Sequence, residues 1–154
     1  MTTRLEDPHK ELALSLFTGL RIRGASPTDQ AFIASTWVSS LGMVDDPRKG
    51  SERGRLVDRM LDKPGVRVSV ACETHDPHHI LGWLCHTPMP SVSCIHYVYV
   101  RNQVRKRGIA SALAIAAGLD QPRPVVFTLL GPSSSWLLAK YPGATHLQAE
   151  EFLK

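Results

Sequence analysis

The chain has 154 residues, 43% of them hydrophobic and 21% charged, which suits one globular domain with a real core and is too short for two. A formal charge of +4, from 18 basic and 14 acidic residues, permits an anionic ligand without demanding nucleic acid. Three cysteines without CxxC spacing exclude a disulfide scaffold, and the absence of any run of 18 apolar residues gives no membrane span, so a soluble, cytoplasmic protein with no membrane partner is expected.

In chain order, residues 20–23 form a short strand candidate. Ser26, Pro27, Thr28 and Asp29 then open a helix on which Phe32, Ile33, Trp37 and Leu41 recur at helical spacing. A loop over 42–50 carries Asp45 and Asp46. A second helix is expected over 51–61, closed by Pro64 and Gly65. The period then falls to two: Val66, Val68, Val70 and Cys72 alternate with Arg67, Ser69, Ala71 and Glu73, and a turn over 74–79 leads to a strand over 79–87, so the two strands pair as a hairpin. A strand over 92–100, a helix over 107–119, a strand over 124–130, a short helix over 133–140 and a closing strand over 145–153 complete the list. The order indicates a mixed α/β architecture of the α+β-like kind, with the 92–100 and 124–130 strands parallel neighbours across a helix.

Three groups of side chains invite chemistry and have ordinary readings. His75, Asp76, His78 and His79 crowd an Asp-Pro turn but lack zinc-site spacing, so no metal is assigned. Ser133, Ser134 and Ser135 read as a helix cap. Trp37, Trp83 and Trp136 read as core, with Trp37 the exception most suited to an acceptor pocket.

One segment asks for a ligand. Between the strand ending at Val100 and the next helix lie Arg101, Arg105, Lys106, Arg107, Gly108, Ile109 and Ala110, an RxxGxA pattern. The first amides of a helix have no intrahelical partner and carry partial positive charge, and Gly108 and Ala110 let a pyrophosphate approach them closely. The alternative at this level is a solvated basic helix start with a chance glycine.

This loop, the strand residues Ile95, His96, Tyr97, Val98, Tyr99 and Val100 before it, the opening LRIRGASPTDQAFIASTWVSSL and the LGWLCH segment resemble the GNAT superfamily of acyl-CoA-dependent N-acyltransferases over residues 20–153. The resemblance implies a single GNAT-like domain over 20–154, preceded by an N-terminal extension of 19 residues. Its central mixed sheet would have six or seven strands, flanked by about four helices. It also implies acetyl-CoA as co-substrate, an amine acceptor, and a monomer or homodimer. Backbone groups of Val98, Tyr99 and Val100 would pair with the pantetheine arm, and amides of Arg105, Lys106, Arg107, Gly108, Ile109 and Ala110 would hold the pyrophosphate. Many relatives carry a catalytic Glu four residues before the final Val of this strand, a place taken here by His96. The family's acid is a Tyr on the last helix. Alignment on Gly143 puts Ala139 there, so either a register shift brings Tyr141 in or the reaction uses no side-chain acid. The alternatives are a CoA-binding module without turnover and a nucleic-acid-binding protein.

Overall fold

The computed structural model describes residues 19–41, 47–128 and 134–154. A six-stranded sheet runs in the order β1 (Leu20–Gly24), β2 (Arg67–Glu73), β3 (Ile80–Pro88), β4 (Ser93–Val100), β5 (Val125–Phe127) and β6 (Thr145–His146). The first four strands are antiparallel neighbours, β4 and β5 are parallel, and so are β5 and β6. The hairpin and the parallel crossover expected from the pattern are both present. Five helices lie among the described residues: α1 (Gln30–Ser40), α2 (Pro47–Asp62), α3 (Ile109–Ala116), α4 (Ser134–Lys140) and α5 (Ala149–Phe152). None is long and apolar enough to cross a membrane.

Each face of the sheet has its own apolar cluster. On one, Ile33 and Trp37 of α1, Val57 and Met60 of α2, and Ala149 of α5 bury Val70, Cys72, Trp83, Cys85 and Tyr97. On the other, Ile109, Leu113 and Ala114 of α3 bury Ala71, Leu84, Ile95, Val98 and Phe127. Strands covered on both faces explain why Ala71, at a position that the alternation assigns to the polar side of β2, is wholly buried.

Four boundaries differ from the sequence reading, each for a local reason. The second helix starts four residues earlier than expected, at Pro47, whose fixed φ and missing N–H suit a first turn. Helix α3 is shorter than 107–119 at both ends, because Gly108 (φ 90°) and Gly118 (φ 78°) are left-handed and cannot continue it. Strand β5 is described only to Phe127; Leu129 and Leu130 lie outside the described residues, as do Ser133 and the acidic pair Asp45 and Asp46. The closing strand over 145–153 is corrected to two strand residues and the helix α5. After Leu147 donates to Phe127 O (2.9 Å), Ala149, Phe152 and Leu153 recur at helical spacing against the α1–α2 cluster, and that burial decides the period.

Entry into α1 is held by an ion pair. Arg23 donates through both terminal nitrogens to the Asp29 carboxylate (2.7 and 3.1 Å) and reaches Pro77 O (2.8 Å), while Asp29 also accepts from Ser26 N (2.8 Å). The Arg23–Asp29 pair thus joins β1, the start of α1 and, through the guanidinium, the β2–β3 turn. The Arg23 hydrogen bond, followed by those from Ser26, pulls the Asp29 pKa down to about 2 against the opposing effect of burial. Because the folded pKa lies below the unfolded value, this contribution to stability is present above about pH 4 and fades as pH falls through about 2. Asp29→Asn is expected to lower the unfolding free energy by about 2 kcal/mol in urea titrations at pH 7. The variant should also lack this part of the parent's acid-induced loss.

Candidate functional site

The site is built where β4 and β5 part. Strand β5 follows β4 through Ser93↔Val125, Cys94↔Val126 and Ile95↔Phe127, and Thr128 then donates its amide to Ile95 O at 3.2 Å. Strand β4 runs on to Val100, and among the described residues no strand pairs with it on that side. Its other edge is closed by β3: Arg101 N donates to Leu81 O at 2.8 Å, continuing a register in which Tyr99 faces Trp83 and Val100 faces Gly82. Antiparallel pairing alternates, so if Arg101 and Tyr99 turn their backbone groups to β3, Val98 and Val100 turn theirs to the open side. Among the described residues no strand covers the Val98 groups or the Val100 N–H, which can take an extended ligand as an added strand, while Val100 O accepts from Arg105 Nε.

At the top of this edge the chain makes a 3-10 turn (Asn102–Val104), passes through Lys106 (φ 65°) and Gly108 (φ 90°), and enters α3. The first helical bond is Ala112 N to Gly108 O (2.9 Å), and among the described residues no hydrogen bond engages the amides of residues 106–111. Two left-handed residues separated by Arg107 turn the chain into the positive end of the helix, where unbonded amides suit an anion.

The four cations of the loop separate into two kinds. Arg101 is committed to the protein: its Nε donates to Ile80 O, and its guanidinium lies 4.9 Å from the centre of the Phe32 ring. Arg105 donates from Nε to Val100 O (2.9 Å) at the surface, which fixes its stem at the open edge and leaves its terminal nitrogens outward; Lys106 and Arg107 are exposed. The last three can meet phosphate oxygens. Gly82, in the LGWLCH segment, has a role that the sequence alone did not disclose. A Cβ there would lie 2.7 Å from Tyr99 O and 3.3 Å from Ile109 Cγ2, so its lack of a side chain lets the start of α3 sit directly on β3 and β4.

The two side chains expected to do acid–base work are placed otherwise. His96 is wholly buried at a β-bulge: Cys85 pairs with Tyr97 and His86 with Ile95, leaving His96 as the extra residue of β4. Strict alternation puts His96 on the face of Val98 and Val100. The bulge corrects this, since Val98 packs in the α3 cluster while the His96 ring lies 4.5 Å from Phe152, which packs on the α1–α2 side. Its Nε2 shares a hydrogen bond with Thr87 Oγ1 (2.7 Å) and its Nδ1 with Thr128 Oγ1 (2.8 Å). Burial, and then the nearby His86, push its pKa down to about 3, so the imidazole is neutral at pH 7 with both nitrogens engaged. Tyr141 donates to Leu119 O (3.2 Å) beyond the C-terminal end of α3, an eight-residue helix about 12 Å long whose other end is the phosphate-type loop. Burial, with a smaller effect of Asp120, raises its pKa to about 12. Its hydroxyl is thus engaged at the end of α3 away from residues 106–108.

Trp37 is also corrected from pocket candidate to core. It is fully buried, stacked on Tyr97 (5.6 Å, 17°) and tilted against Trp83 (5.2 Å). Trp83 donates to Thr36 Oγ1 (3.0 Å) and stacks on Tyr99 (5.9 Å), so α1 is fastened to β3 and β4 by a row of rings on the face opposite α3. Thr87 and Thr128, the partners of His96, were missed by sequence reasoning; a threonine closing an apolar strand carries no local mark.

An antiparallel four-strand meander, a parallel fifth strand beside its last strand, and a glycine loop feeding a helix define the architecture. No family model matches the chain, and no curated protein matches it by sequence. Solved structures do. The chain is similar to a Corynebacterium glutamicum protein named histone acetyltransferase HPA2 and related acetyltransferase, with 12% identity, 80% of this chain and 83% of that one covered, and TM-score 0.54. It is also similar to ribosomal-protein-alanine N-acetyltransferase from Brucella melitensis biovar Abortus 2308 (16% identity, 77% and 87% covered, TM-score 0.52). A third is AAC(6')-Iy in complex with the bisubstrate analogue CoA-S-monomethyl-acetylneamine (13% identity, 80% and 89% covered, TM-score 0.51). The chain thus has the GNAT fold.

Gly82→Ala tests the seating of the loop. The added methyl meets a backbone oxygen that cannot swing aside, so the variant should lose about 1–3 kcal/mol of stability in thermal or urea unfolding. Amide exchange should rise at Ala112, the first hydrogen-bonded amide of α3.

Proposed function

We propose that the protein is a GNAT-type N-acetyltransferase that moves an acetyl group from acetyl-CoA to a primary amine within a ternary complex. The observation that carries the reading is the continuity of the open β4 edge at Val98 and Val100 with the unbonded amides of residues 106–111. An extended arm that pairs with the edge delivers its pyrophosphate to those amides. The residues fit such a group: Arg105, Lys106 and Arg107 meet its charge, and Gly108 and Ala110 allow close approach. The three similar structures support the fold, and the bisubstrate complex of AAC(6')-Iy supports a CoA site in that fold.

Acetyl-CoA supplies the thioester. The attacking amine must be neutral, and its nitrogen displaces the sulfur as one C–N bond forms and one C–S bond breaks. The chain's part is to hold the thioester at the divergence of β4 and β5, where the amides and the edge fix its path. With His96 held neutral by burial and Tyr141 bonded at the far end of α3, we assign the amine's proton to solvent, and the leaving thiolate takes its proton from solvent too. The same two placements favour a second reading, a CoA-binding module without turnover. Release of thiol from acetyl-CoA across a panel of amines separates the two: release that depends on one class of amine supports the enzyme, and binding without release supports the module.

Saturating acetyl-CoA should raise the melting temperature by mass action. Gly108→Glu places bulk and negative charge where the pyrophosphate lies and strains a left-handed residue, so it should abolish that rise at a stability cost of about 1–2 kcal/mol. Arg101→Ala should keep the rise, because that side chain serves Ile80 and Phe32. Absence of any thermal shift at millimolar acetyl-CoA would overturn the assignment.

A further inference from the structure

We infer that His96 is a positioning residue: through Nδ1 it pins Thr128, and so sets where β5 leaves β4 and how far the β4 edge stands open. As a statement about cofactor affinity the inference rests on the CoA reading above; as a statement about the sheet it does not.

The argument begins from how unequally the strands beside β4 are held. Strand β3 pairs with β4 from Gly82 to Pro88, so the Nε2 bond to Thr87 joins two strands that are already zipped together. Among the described residues strand β5 has Val125 to Phe127, and the last of its bonds to β4 is at Thr128. There one residue makes three attachments. Its amide donates to Ile95 O (3.2 Å), its hydroxyl bonds His96 Nδ1 (2.8 Å), and its carbonyl accepts from His146 Nε2 of β6 (3.2 Å). The bulge delivers the imidazole to this place: without an extra residue at 96, the side chain at that position would stand on the α3 face with Val98.

A neutral imidazole suits the task. One nitrogen donates and the other accepts, and a threonine hydroxyl can serve in either direction, so both bonds form whichever tautomer is present. Phe152 against the ring blocks other orientations. A carboxylate at this position would be buried without a cation, and an apolar residue would leave the Thr128 hydroxyl, 1% exposed, without its partner.

Two amide side chains dissect the imidazole. Asparagine puts a polar atom near the Nδ1 position and can keep the Thr128 bond; glutamine reaches the Nε2 position and can keep only the Thr87 bond. In the ligand-free protein, hydrogen exchange at the Thr128 amide should accelerate about tenfold in His96→Gln and in the isosteric Thr128→Val, the equivalent of one buried hydrogen bond. It should stay within about threefold of the parent in His96→Asn, Thr128→Ser and Thr87→Val, tenfold being 1.4 kcal/mol. The Kd for CoA, by calorimetry, should follow the same division. A residue that served only general core stability would make Asn and Gln alike, and like exchange rates in those two variants overturn the inference. If exchange divides as expected while the parent does not bind CoA, the strut stands and the functional reading falls. If exchange divides but CoA affinity is the same throughout, the link from strut to cofactor edge is overturned.

Discussion

A single unpaired stretch of strand governs this molecule. Among the described residues, strand β4 is paired with strands on both sides as far as Ile95 and with β3 alone from there to Val100. Backbone groups cannot be left without partners inside a core, so an interior strand half-stripped of its neighbour is stable only if water or a ligand can reach the exposed edge. The fold therefore has to hold β5 at one end and release it at the other. Most of its particular features serve that requirement: a short β5, a triply bonded Thr128, a bulge that brings His96 to it, and left-handed residues that turn the chain aside above the opening.

The two faces of the sheet respond to the opening differently. On the α3 side, close approach is what matters, and it is achieved by leaving out atoms: Gly82 has none to set against Tyr99 O and Ile109, and Ala112, Ala114 and Ala117 let the helix lie low. On the α1 side the space is filled by large rings, with Trp37, Trp83, Tyr97 and Tyr99 overlapping and only Tyr99 partly exposed. Helix α3 thus lies close to the sheet on one face, and α1 is held off by large rings on the other. Arg101 links them, since it leaves the end of β4 and closes over Phe32 of α1.

The charge of the loop illustrates how position sorts like residues. Four cations within seven positions look equivalent in a sequence, yet Arg101 spends its guanidinium on a carbonyl and a ring, Arg105 is half-engaged at Val100, and Lys106 and Arg107 stand in solvent. Electrostatic attraction for an anion thus comes from the second half of the run, beside the unbonded amides, where it adds to the helix dipole instead of competing with it.

Much of this was legible without coordinates because it is local. Alternation marked β2, β3 and β4, helical spacing marked α1, and the glycine after a basic run located the helix start, all properties of neighbours along the chain. The resemblance carried by that loop and its flanking strand anticipated the mixed sheet. What escaped was set by contacts between segments far apart. A bulge belongs to two strands together, so nothing near residue 96 showed that its side chain would cross to the other face. Residues 149–153, Ala-Glu-Glu-Phe-Leu, do not alternate: the helical spacing of Ala149, Phe152 and Leu153 was there to read, and the strand expectation overlooked it. Tyr141 and Trp37 were chemically suitable for a site; tertiary packing assigned one to the far end of α3 and the other to the core. Sequence by itself determined most of the elements and the glycine at which α3 begins, since propensity and capping act over a few residues. The tertiary structure alone decided which polar side chains meet at the opening, because hydrogen-bond partners such as Thr87, His96 and Thr128 come together only when three strands have taken their register.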